Sequence, residues 1–171
     1  MLALFRDLVA STLPSEERLR TRLSELSARD WANLAEIFAA TLPEIDAVIA
    51  LPGAAELAGS LARARGVMCL GVPLDADVER WLPLVPPSGE VVLITAHLWD
   101  GEAELEATAR ATEHGLRVVA LAAAVERTTA GARRRFESQG VRVYTALQLA
   151  DTPEGLVFER RAPKRWKIKD A

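Results

Sequence analysis

Little in this sequence suits covalent or metal chemistry. Cysteine occurs once, at Cys69, and histidine twice, at His97 and His114. A lone thiol excludes an internal disulfide, and no cysteine and histidine fall at zinc-ligand spacing, so no metal centre is expected. Cys69 stands in the apolar run 67–70 and reads as a small buried core residue in a reducing, cytoplasmic compartment. Lysine is confined: Lys164, Lys167 and Lys169 are the only three, so residues 1–163 carry positive charge as arginine alone. Long hydrophobic runs are missing as well. The longest, such as 118–125, falls far short of the roughly 20 residues of a membrane span, and Asp7 interrupts the apolar N-terminal stretch. Neither a signal peptide nor a membrane anchor is expected.

What remains is ample for one globular domain, with half of 171 residues apolar. The net charge of -3 argues against a general nucleic-acid binder. Its distribution is uneven. From Glu159 onward, Arg160, Arg161, Lys164, Arg165, Lys167 and Lys169 face only Glu159 and Asp170. The reading is one domain over residues 1–158 and a basic tail over 159–171, with Trp166 set among the tail's charges. Interleaved basic and aromatic residues suit phosphate backbones or an acidic protein, but so few charges make salt-sensitive contacts and a solvated tail fits better.

Three segments, 61–72, 109–124 and 134–147, share one order: an amphipathic helical stretch, a glycine, then an apolar run. Gly66, Gly115 and Gly140 stand where a helix end requires left-handed backbone. Repeated helix–strand units imply parallel strands with helical crossovers. Runs at 47–51 and 90–95 bring the count to about five strands, apolar enough to be covered on both faces. The expected fold is therefore α/β, a Rossmann-like parallel sheet flanked by helices. Two helices precede it. One begins at Glu16 and Glu17, acids that favour a helix start, and suits packing or dimerisation. The other opens on the capping box of Ser27 and Asp30, repeats Trp31, Leu34, Ala35, Phe38 and Leu42 at helical spacing, and ends at Pro43. Beyond Thr152 a short strand is expected, then the tail.

In such a sheet, ligands gather beyond the carboxyl ends of the strands, beside helix N-termini. Two loops fit: Leu51, Pro52, Gly53, Ala54, Ala55 and Glu56 after the first strand, and Thr95 through Gly101 after the third. Over residues 45–151, about two thirds of the chain, the pattern resembles a type I phosphoribosyltransferase. That family's signature is a four-residue apolar strand, two acids, two variable residues, two threonines, a glycine, one further residue and a hydroxyl. Val91, Val92, Leu93 and Ile94 supply the strand and Gly101 the glycine. The acid pair aligns with Thr95 and Ala96, the two threonines with Trp99 and Asp100, and the last hydroxyl with Ala103. The order Glu126, Arg127, Thr128 after an apolar strand is most similar to the orotate branch, which implies a base-side role for Arg127 and Thr128. The resemblance further implies a homodimer, a pyrophosphate loop at Pro52–Glu56, and magnesium if the protein is active. An N-terminal hood motif is missing, and residues 73–87 are short for the family's mobile catalytic loop, whose lysine has no counterpart in the body of the chain.

Each rewritten position has its own physical reading. Asp100 precedes a helix and can take up first-turn N–H groups that a 5′-phosphate would otherwise use. Glu102 and Glu104 add like charge against a dianion. Trp99 either stacks on a base, or fills the volume a ribose phosphate would occupy or packs across a dimer interface, and filling or dimer packing fits better. His97 either transfers a proton or contacts a nucleotide, or is structural; the structural role has more support because no nucleophile or second ligand flanks it. His114 complements a helix dipole. Arg127 binds an anion or pairs with Glu126 or another neighbour, with nothing to choose between them. Trp31 and Trp81 read as core or interface residues. Three functions follow: a non-catalytic relative that binds or regulates in nucleotide metabolism, sensing a nucleotide-like molecule or pairing with an active enzyme; a divergent transferase using phosphoribosyl pyrophosphate and magnesium; and a scaffold whose tail docks on nucleic acid or an acidic protein.

Overall fold

The computed structural model describes residues 2–71 and 88–159. Trp81, Trp166, the short segment at 73–87 and the basic residues from 160 onward lie outside the described residues. In chain order the elements are α1 (Leu2–Ala10), α2 (Glu16–Ser24), α3 (Ala28–Thr41), β1 (Ala47–Ala50), α4 (Ala55–Arg65), β2 (Met68–Gly71) and β3 (Gly89–Leu98). They continue with α5 (Glu102–Glu113), β4 (Leu116–Arg127), a 3-10 turn (Thr128–Ala130), α6 (Ala132–Glu137), β5 (Arg142–Thr152) and β6 (Gly155–Phe158). The sheet order is β2-β1-β3-β4-β5-β6. The first five strands pair in parallel and β6 closes the edge antiparallel to β5.

Local sequence accounts for most of these boundaries. The Ser27 side chain accepts the Asp30 N–H while the Asp30 carboxylate accepts the Ser27 N–H, so α3 starts where the capping box places it. Its C-cap, Leu42, is extended, as a residue before proline must be. Gly66 ends α4 at φ 65°, a left-handed value that a residue with a Cβ adopts only with strain. The helix α1 was not anticipated; Phe5 and Val9 fix it to the core.

The core has two faces. On one, α1 to α4 bring Phe5, Leu19, Trp31, Phe38, Leu57 and Leu61 onto Val48, Val92, Ile94 and Ala122. On the other, α5 and α6 bring Ala107, Ala111, Ala132 and Phe136 onto Ile49, Val91, Leu93 and Leu121. Alternate residues of one strand thus serve opposite layers, as the two-residue period of a strand dictates. Near the carboxyl ends this alternation breaks: the consecutive Ala124 and Val125 both join the first layer, and Ala146 and Leu147 both pack with it.

Two expectations need correction. Cys69 is exposed, not buried, because β2 is an edge strand. The third strand also runs past 95, to Leu98. Ala50, the last residue of β1, pairs with Ile94, so Thr95–Leu98 project beyond β1 and pair with β4. The carboxyl edge of the sheet is therefore stepped, low over β1 and high over β3 and β4.

Candidate functional site

That step shapes the region where a ligand would sit. Thr95, Ala96 and His97, expected in a loop, belong to the strand, and only Trp99, Asp100 and Gly101 separate β3 from α5. Gly101 is the N-cap of α5 at φ 80°, and a Cβ there would lie 3.1 Å from both Ala132 Cβ and Phe136 Cε2. Glycine is required at this position by backbone and by space. Asp100 is one residue too early to be the cap itself. Its Oδ1 nevertheless accepts the Glu102 N–H at 3.0 Å, so a first-turn donor of α5 is already occupied. Glu104 does not present its charge to solvent as expected. It is buried and its Oε1 accepts the Thr95 hydroxyl at 2.9 Å, while burial raises its pKa.

The other helix start is built differently. Ala54, the N-cap of α4, supplies no side-chain bond, and Pro52 and Gly53 are exposed, with Gly53 at φ 79°. Ala55 and Glu56 open the helix, both exposed. The two loops expected to share a ligand thus differ: α4 has no side-chain cap, whereas Asp100 reaches the first turn of α5.

Beyond β3, adjacent residues of β4 point to opposite faces. Glu126 turns toward α6, 1% exposed, and receives Arg133 through Nε at 3.0 Å and Nη2 at 2.6 Å, with Gln148 Nε2 at 3.0 Å. Burial alone would raise its pKa, but the Arg133 and Gln148 bonds outweigh it and hold the carboxyl below its ordinary value. Arg133 also donates to Val143 O at 2.8 Å, so the pair is closed on both sides. Arg127 turns toward α2. Its partner is not Glu126 but Asp151, which takes both Nε and Nη2 and also accepts the Thr129 hydroxyl. Glu16, in the first turn of α2, lies 3.0 Å from Arg127 Nη1 and 2.7 Å from Arg20. Its approach to Nη1 is too poorly aligned for a hydrogen bond, which leaves that nitrogen without one. Thr128, the other base-side candidate, gives its hydroxyl to Leu149 O at 3.2 Å.

Trp99 does not fill a buried cavity. It is 45% exposed and lies over the Arg127 guanidinium, 5.1 Å from ring centroid to Cζ. His97 lies among these groups. Burial first, then the charges of Arg127 and Arg20, lower its pKa to about 4, so it is neutral near pH 7. His97 Nε2 and Arg127 Nη1 are the two buried side-chain nitrogens or oxygens without a hydrogen bond among the described residues. Sequence reasoning singled out His97, Arg127, Trp99 and Asp100 but missed Glu16 and Asp151; the only signal for Glu16 was its place in an acidic helix start.

The residues aligned with the family's acid pair do not suit a divalent cation, since Thr95 bonds Glu104 and Ala96 has no donor. Among the described residues no cluster of three or more His, Cys, Asp or Glu can hold a metal ion, and no helix is long and apolar enough to cross a membrane.

No protein-family model matches the sequence, and no curated protein matches it either. Solved structures do. Orotate phosphoribosyltransferase of Mycobacterium tuberculosis, in complex with Fe(III) dicitrate, superposes with a TM-score of 0.67 at 19% identity, covering 86% of this chain and 95% of that one. A phosphoribosyltransferase of Corynebacterium diphtheriae gives 0.65 at 20% identity over 86% and 95%. Adenine phosphoribosyltransferase of Thermoanaerobacter pseudethanolicus gives 0.59 at 16% identity over 71% and 82%. The fold of this chain is that of the type I phosphoribosyltransferases.

Proposed function

We propose that this chain puts the phosphoribosyltransferase fold to ligand binding or regulation linked to nucleotide metabolism, and that it has lost the transfer reaction. One observation carries the reading: where the family places a phosphate-binding loop, β3 continues as strand and the short turn that remains spends its Asp100 carboxylate on the Glu102 N–H. A dianionic phosphate entering there would meet a carboxylate on its donor. Arg127, the base-side candidate, is likewise engaged by Asp151 and approached by Glu16. The ligand in this reading is nucleotide-like, and the active form is a homodimer.

The test is a thermal-shift series with phosphoribosyl pyrophosphate and magnesium, orotate, other bases and nucleotides, run beside an assay for pyrophosphate release. A ligand bound only by the folded state raises the melting temperature. Stabilisation by a nucleotide or base without turnover is the expected result. Saturable binding of phosphoribosyl pyrophosphate with pyrophosphate release would overturn the reading and establish a divergent, magnesium-dependent transferase.

A further inference from the structure

The two nitrogens without a hydrogen bond stand on neighbouring strands. His97 lies on β3 and pairs with Val125, two residues before Arg127 on β4, so the two side chains leave the same face of the sheet. Buried polar atoms are almost always bonded, and with the His97 proton on Nε2 both nitrogens are donors that one acceptor could satisfy. The local charges say what kind. Arg127 and Arg20 are balanced by Asp151 and Glu16, but the two acids are held unequally. Asp151 accepts two bonds from Arg127 and one from Thr129. Glu16 is ion-paired with Arg127 Nη1 at 3.0 Å but out of line for a hydrogen bond, and its side chain is 37% exposed. The Arg127 side chain is only 8% exposed, so nothing reaches Nη1 unless Glu16 gives way.

We propose that His97 Nε2 and Arg127 Nη1 are the donor pair of a site for a small oxyanion, a carboxylate or phosphate, which Glu16 of α2 holds closed as a built-in competitor. This rests on the proposed ligand-binding role and adds its regulation. An oxyanion, free or part of a larger ligand, replaces the Glu16 carboxylate, takes an aligned bond from Arg127 and accepts one from the neutral His97 ring. The helix α2 is then released at its first turn. The cover is seated elsewhere: Leu156 N–H donates to Pro14 O at 2.9 Å, which pins the chain just before α2 to β6.

The experiment compares wild type with Glu16→Gln in calorimetric titrations of acetate and of inorganic phosphate at constant ionic strength, with the His97 ring nitrogens followed by NMR. Loss of the competitor is expected to tighten at least one of the two anions about tenfold, within the usual range of coupling between sites, and to shift the His97 Nε2 resonance on binding. In the double variant Glu16→Gln, His97→Phe the gain disappears while circular dichroism stays native. Equal affinity in wild type and Glu16→Gln, no binding by either, or a gain that survives His97→Phe overturns the proposal and leaves Glu16 a packing contact. These outcomes separate from the preceding test: pyrophosphate release would sink the proposed function without touching the Glu16 effect, and a missing Glu16 effect would leave nucleotide binding standing.

Discussion

Glu126 and Arg127 are neighbours on one strand, both nearly inaccessible, yet they sit in opposite conditions. On the α6 side, Glu126 is bonded by Arg133 and Gln148. On the α2 side, Arg127 has a firm partner in Asp151, a poorly aligned one in Glu16, and an unbonded His97 beside it. A buried ion pair with every donor matched serves structure, because removing either half leaves a charge that burial penalises. A pair with donors left over is an incomplete solution that a ligand can finish. The contrast separates a closed half of the sheet edge from an open one.

The largest expected effect comes from breaking the closed half. Arg133→Met leaves the Glu126 carboxylate buried and unpaired and should cost about 3–5 kcal/mol in urea denaturation. A loss below about 1 kcal/mol would show that the two halves are alike. Gly155→Ala attacks the seat of the open half. At φ 118° its Cβ would lie 2.5 Å from Pro14 O, so backbone strain of about 1–3 kcal/mol is expected, measured by thermal unfolding.

Acid should weaken the open half next. The unfolded chain protonates His97 near pH 6.5 and the folded chain only near 4. Between those values the unfolded state binds more protons, so the stability His97 confers is complete above pH 6.5 and is lost as pH falls toward 4. The charges that act on the ring are those of Arg127, Arg20, Glu16 and Asp151. His97→Gln should remove that part of the slope, on the order of 1–2 kcal/mol, read from denaturation midpoints across the range. An unchanged slope would place the titration elsewhere.

Asp100→Ala should cost about 1 kcal/mol, the scale of a lost helix-start bond. By freeing the Glu102 N–H it should also strengthen any response to phosphoribosyl pyrophosphate in the thermal-shift series. The smallest effect is expected for Trp99→Ala, about 0.5–1 kcal/mol for an exposed ring over a guanidinium. Fluorescence quenching by added anions should fall with it.

The layer structure was legible because helix ends and strand starts are local matters. Gly66 and the Ser27–Asp30 box act within a few residues, and the apolar runs at β1, β3 and β4 need no tertiary knowledge to be read as strands. Cys69 was misread because edge and centre look alike in sequence; strand order decides burial. The end of β3 was misread for a similar reason. Thr95, Ala96 and His97 stay extended because β4 runs alongside them, and their own propensities would as readily form a loop. Least legible was the α2 cover. Glu16 and Arg127 are more than a hundred positions apart, and their meeting depends on how the segment before α2 is seated on β6.

That seat also reports on itself. The Leu156 amide donates to Pro14 O, so lifting the N-terminal cover frees it to exchange its hydrogen with solvent. In native-state hydrogen exchange this one amide becomes a gauge. Its protection sets how often the cover is open at rest, and Glu16→Gln should lower it while amides in the centre of β3 and β4 keep the protection of the whole domain.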